Sequence, residues 1–115
     1  MYVVTREEFE QLVSNALDEL PDTFADELRN VAILVDDIHP ENSHLLGLYH
    51  GVALPKRTFD HSGYPPDTIS IYQLPIQWIV NSAEELAHQV KVTVFHEVGH
   101  YFGMSEAELH ALGWG

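Results

Sequence analysis

The chain has 115 residues, no cysteine, and 18 acidic against 5 basic side chains, for a formal net charge of −13. The lack of cysteine excludes a disulfide framework, a thiolate metal site and a cysteine nucleophile. The lack of a basic footprint argues against nucleic acid, whose phosphates would go unneutralised. Apolar residues make up 45% of the chain, including five Phe, five Tyr and two Trp, which favours one globular domain over residues 1–115 rather than disorder. Met1 to Glu7 show no basic and then apolar leader pattern, and no apolar stretch approaches the ~20 residues of a membrane span. Cytoplasmic residence without a membrane partner is the expectation. The acidic balance favours a peptide or protein partner with basic segments, set against the plainer role of keeping the chain soluble.

In chain order, Thr5 to Leu20 reads as a first helix. Thr5 and Glu8 make a capping-box pattern, and Phe9, Leu12, Val13, Ala16, Leu17 and Leu20 fall on one face. Pro21 ends it, and Phe24 to Arg29 adds a short helical turn. Val31 to Val35 is a continuous apolar run, which predicts a strand buried on both faces. Leu45 to Leu54 predicts a second strand, with Gly47 and Gly51 permitting a bulge or close approach. Pro55 to Pro66 reads as a loop. Thr68 to Leu74 predicts a third strand, placed at a sheet edge because Pro75 cannot donate to a central ladder. After a helical turn over Pro75 to Val80, Ser82 and Glu85 predict a capping box for a long helix from Glu84 to Phe102. Leu86, Val90, Val94 and Val98 form its buried stripe.

The end of that helix carries the chemistry. His96-Glu97-Val98-Gly99-His100 is an H-E-x-x-H run. Residues four apart on a helix lie about 6 Å apart along the axis and about 40° around it. Two imidazoles so placed suit one Zn²⁺ per chain, with Glu97 near enough to work on a water beside the metal. Shuffling this composition yields the bare pattern about 0.05 times per chain, so its position late in a buried helix matters as much as the pattern. Gly103 predicts a left-handed cap that turns the chain back. Ser105 and Glu108 then start a short last helix reaching Leu112. Glu106 returns beneath the histidines as the candidate third ligand. His110 is the alternative ligand, and a first-turn acid facing the helix dipole is the simpler role for Glu106.

Residues 96–106, H-E-V-G-H-Y-F-G-M-S-E, resemble the metzincin signature H-E-x-x-H-x-x-G-x-x-H/D, with Glu106 at the third-ligand position. The wider chain resembles the bacterial family of small predicted zinc-dependent peptidases with a minimal metalloprotease-like domain. The resemblance takes in the opening helix, Gly47 to Val52, Ile69 to Tyr72 and the 96–106 motif. It implies a small α+β zincin-like fold, a helix-backed mixed sheet of about three strands or more beside the zinc helix and a short C-terminal helix. It also implies His96, His100 and Glu106 as ligands, Glu97 as catalytic base and peptide hydrolysis as the activity. Unlike in the larger metzincins, no subdomain or Met-turn is expected after the motif, and Met104 lies inside it. The expectation is a substrate held from one side, along the Thr68–Leu74 edge strand. Tyr49, His50, Arg57, Tyr64 and Tyr72 are candidate oxyanion partners, against the commoner packing role of aromatics on strands. Trp78 and Trp114 are expected in the core or docking a helix. A zinc-stabilised binding or regulatory module with little or no turnover is the competing function, and a metal-free scaffold is the third.

Overall fold

The computed structural model describes residues 1–51, 53 and 67–115. The expected loop Pro55–Pro66, with Arg57 and Tyr64, lies outside the described residues. Helix α1 spans Arg6–Asp18 and is capped as its sequence predicts. Thr5 Oγ1 accepts from the Glu8 amide at 3.1 Å, and the Glu8 carboxylate accepts from the Thr5 amide at 3.5 Å. Its apolar face buries Phe9, Val13 and Ala16. A short helix α2 (Asp22–Glu27) and a 3-10 turn (Leu28–Asn30) lead into the first strand.

Among the described residues three strands form one mixed sheet: β1 (Val31–Asp36), β2 (Gly47–His50) and β3 (Asp67–Tyr72), in the order β1-β3-β2. β1 runs parallel to β3, with Ile33 opposite Ile69, and β2 runs antiparallel to it, with Tyr49 opposite Ile69. Two expectations fail here. The third strand is central and not an edge strand, because Pro75 does not lie in it. Tyr72 ends β3, and helix α3 (Gln73–Trp78) begins at once, which puts Pro75 in the first helical turn. Amides there have no intrahelical acceptor, so a missing N–H costs nothing. β1 is not buried on both faces. Val31, Ile33 and Val35 face the core, whereas Ala32, Leu34 and Asp36 are exposed, Leu34 at 44%.

Helix α4 (Ala83–Tyr101) crosses the inner face of the sheet. Ser82 Oγ accepts from the Glu85 amide at 3.1 Å, but Glu85 turns to the Asn81 amide at 2.8 Å in place of the reciprocal bond that a capping box needs. Leu86, Val90, Val94 and Val98 are buried as their spacing predicts, with Phe9, Val13, Ile69, Ile71 and Ile76 around them. Full burial of each such side chain contributes about 1.5–3 kcal/mol, so this stripe holds α4 in place more firmly than helix propensity does. Trp78 departs from expectation, at 46% exposed, while Trp114 packs against the core. Among the described residues no helix is long and apolar enough to cross a membrane.

Candidate metal centre

Two consecutive helix ends build the centre. After α4, Gly103 takes φ +77°; its amide bonds the His100 carbonyl at 3.0 Å, and the Met104 amide bonds the Gly99 carbonyl at 3.0 Å. This pair of bonds is a Schellman motif, which folds the chain back on the helix it leaves. Ser105 then caps helix α5 (Glu106–Ala111) in a complete capping box with Glu108. α5 ends in the same way. Gly113 takes φ +77°, its amide bonds the His110 carbonyl at 3.0 Å, and the Trp114 amide bonds the Leu109 carbonyl at 2.8 Å. The first turn returns Glu106 to the histidines. The second returns the Trp114 backbone to them.

Gly99, inside the motif, permits this closeness. A Cβ there would lie 2.1 Å from Leu109 Cδ2, and Leu109 is fully buried. Gly47 does the same on the other side, where a Cβ would lie 2.9 Å from Thr93 Cγ2 and 3.1 Å from Glu97 Cγ. β2 and α5 therefore approach α4 at two glycine notches, with the motif between them.

The donor atoms converge. His96 Nε2 and His100 Nε2 are 3.0 Å apart, and Glu106 Oε1 lies 3.3 Å from His100 Nε2 and 3.6 Å from His96 Nε2. Donors about 2.0–2.1 Å from a tetrahedral zinc sit about 3.3 Å from one another, so the three atoms outline one face of such a tetrahedron. Their chemistry fits as well. His96 Nδ1 lies 2.9 Å from the Trp114 carbonyl oxygen. A carbonyl only accepts, so Nδ1 carries the hydrogen and Nε2 presents its lone pair to the centre. His96, Glu97 and His100 also form a group whose ligand atoms lie within 4.8 Å of one another. The alternative ligand His110 lies on α5 one turn after Glu106, its Nδ1 3.3 Å from where a Cβ on Gly115 would sit.

Glu97 differs from Glu106 in its surroundings. It is 7% exposed, and Oε1 accepts the Tyr49 amide of β2 at 2.9 Å. Burial pushes its carboxyl above the usual value; His96 and the Tyr49 amide pull it back, and Glu106 adds to the rise. Glu106 is 73% exposed at its side chain, on the first residue of α5. Burial holds the His100 imidazole below its ordinary value, His96 adds to that effect, and Glu106 opposes it. Of the oxyanion candidates, the Tyr49 hydroxyl donates to Asp67 Oδ2 at 2.9 Å, His50 is exposed, and Tyr72 is buried against His39. None of these contacts directs a side chain to the histidines. A cavity of about 310 Å³ does adjoin them, lined by Leu45, Gly47, Gln89, Val92 and Thr93 together with His96 and Glu97. The Trp114 carbonyl and this cavity had no signature in the sequence, since neither is spelled by a residue type.

The fold has a counterpart in a conserved hypothetical protein from Thermo thermophilus, with a TM-score of 0.59 at 21% identity over 95% of this chain and 97% of that one. No curated protein matches the chain. Residues 28–114, which hold the whole sheet, α4, α5 and every donor described above, match the model of the Zincin-like metallopeptidase family, and the chain belongs to that family.

Proposed function

We propose that the chain is a zinc-dependent peptidase, with His96, His100 and Glu106 as metal ligands and Glu97 as general base. The observation that carries this is the triangle of His96 Nε2, His100 Nε2 and Glu106 Oε1, with edges of 3.0, 3.3 and 3.6 Å. A zinc ion bound there supplies Lewis acidity, polarising a peptide carbonyl and acidifying a water. Glu97 takes the proton of the attacking water and returns it to the leaving nitrogen. The Tyr49 amide occupies Oε1, which assigns the proton to Oε2. Burial suits the role, since a carboxyl raised above its usual value holds a proton more readily in the middle of the reaction.

The substrate lies along β2 in this proposal, and not along the central strand β3. The Tyr72 amide bonds the Leu46 carbonyl at 2.9 Å, and the antiparallel register then turns the backbone groups of Gly47 away from β3. Those groups flank the cavity beside Glu97, where an extended peptide gains both backbone pairing and a mostly apolar seat. The net charge of −13 favours peptides carrying Lys or Arg outside that seat.

Metal analysis and Glu97→Gln together test the proposal. Wild type should hold one zinc per chain and cleave members of a peptide library. Glu97→Gln should keep its zinc and lose roughly 10²-fold or more of the rate, the scale of a lost general base. A zinc-loaded wild type that cleaves nothing in the library would favour a binding or regulatory module. Full activity in Glu97→Gln would overturn the assignment.

A further inference from the structure

We infer that Trp114 is a positioning residue of the centre: its carbonyl holds His96 in the Nδ1–H tautomer, and its indole fixes that carbonyl in place. The inference rests on the ligand set proposed above. Two independent observations carry it. His96 Nδ1 meets the Trp114 carbonyl oxygen at 2.9 Å, which leaves Nε2 unprotonated and aimed at His100 and Glu106. The indole packs edge-on against Phe95 of α4 and Phe24 of α2, with ring centroids 5.1 and 5.8 Å away. Phe24 in turn meets Phe102 at 4.9 Å, so the aromatic cluster joins the end of α4 to α2. The backbone leading to the carbonyl is fixed too, by the 2.8 Å bond from the Trp114 amide to Leu109 and by the left-handed Gly113 before it.

A metal-ligating imidazole needs its free nitrogen deprotonated and its ring pointing at the metal, and a hydrogen-bond acceptor on the other nitrogen supplies both. Here that acceptor is a backbone oxygen, so no side-chain substitution removes it directly. The ring is the handle by which it is held. Without that packing the segment would let the carbonyl rotate away, and His96 would then populate both tautomers. Trp114 thus couples the aromatic packing of α2 and α4 to the chemistry of His96 Nε2.

Trp114→Ala, Trp114→Phe and Gly113→Pro test this. Gly113→Pro fixes φ near −65°, against the observed +77°, and removes an amide that bonds His110. It redirects the segment even where Trp114→Ala refills the cluster. Long-range nitrogen–proton correlations on the metal-free protein above pH 8 report the His96 tautomer, and chelator competition reports zinc affinity. Melting of the metal-free proteins separates a folded variant from an unfolded one. Wild type and Trp114→Phe should show a single Nδ1–H tautomer at His96. Trp114→Ala and Gly113→Pro should show mixed tautomers and an affinity about 10–100-fold lower, the usual effect of losing an outer-shell partner. Folded variants that keep the Nδ1–H form and wild-type affinity would overturn the inference. A wild type with the Nδ1–H form and no affinity for zinc would instead sink the proposed function and leave the positioning role standing.

Discussion

At the scale of single residues, two glutamates in one motif are given opposite surroundings. Glu106 sits in solvent at the positive end of a helix, and Glu97 is buried and held by a strand amide. If Glu106 is a ligand, Glu106→Ala should lower zinc affinity by more than the 10–100-fold typical of outer-shell partners. His110→Ala should leave it nearly unchanged, and the same chelator competition decides between them. Glu97 also gives the metal-free protein a pH signature. Its carboxyl is raised in the fold, so above the ordinary carboxylate value the folded state holds more proton than the unfolded one. Stability from this group is therefore full below about pH 4.5 and is lost as pH rises through the elevated value. His100 acts the other way. Its lowered value makes stability full above about pH 6.5 and lost as pH falls toward the folded value. Metal-free Glu97→Gln should thus melt higher than metal-free wild type at pH 7 and no higher at pH 3. An equal difference at both pH values would show that burial of the charge is not its cause.

At the scale of elements, α5 carries one donor and leads to the carbonyl behind another, yet it has only six residues. Its docking depends on Leu109 entering the notch at Gly99. Gly99→Ala would ordinarily favour a helix by about 1 kcal/mol. Here the new methyl meets the buried Leu109 at 2.1 Å, and such overpacking costs about 1–3 kcal/mol. The variant should therefore melt lower despite its better propensity and should also bind zinc more weakly, since α5 shifts with Leu109. A rise in melting temperature with unchanged affinity would refute the notch. These elements also show what was legible in the sequence. Periodicity and caps gave α1 and α4 with their buried faces, and a cap alone gave α5, because helix signals are local. Sheet order was not legible in the same way. Pro75 looked like an edge marker, although the strand-to-helix switch at Tyr72 had already taken it out of the ladder. The run Val31 to Val35 looked doubly buried, although half of it faces outward, since a row of apolar residues does not reveal which faces are covered.

At the scale of the molecule, the donors come from a short C-terminal stretch, while the sheet and α1 supply the support. Leu86, Val90, Val94 and Val98 fix α4 against Ile69 and Ile71, so the motif helix is anchored by contacts distant in sequence. Zinc bound to the folded state alone raises stability by mass action, about 4 kcal/mol at a free concentration 1,000 times the dissociation constant. Chelation should lower the melting temperature of wild type by several degrees and that of His96→Ala very little. Equal shifts in both would mean that the chelator acts elsewhere. The spacing of the candidate site was legible from His96, Glu97 and His100 because one helix holds all three. The arrangement around it was not, because Tyr49 and Trp114 act through backbone atoms.

The two Schellman turns also bear on how a metal would leave. The Glu106 carboxylate and the Trp114 carbonyl both hang from a helix of six residues, fastened by Leu109 and by the aromatic contacts of Trp114. A helix of six residues whose buried side chain is Leu109 opens locally at far lower cost than the whole fold. Lifting α5 removes the carboxylate of Glu106 and the acceptor behind His96 in one motion, while α4 stays in place. Zinc release should then keep time with amide exchange in α5 and not with exchange at Val90 or Val94. The small closing helix would act as the clasp of the site, and its opening rate would set how long an ion stays.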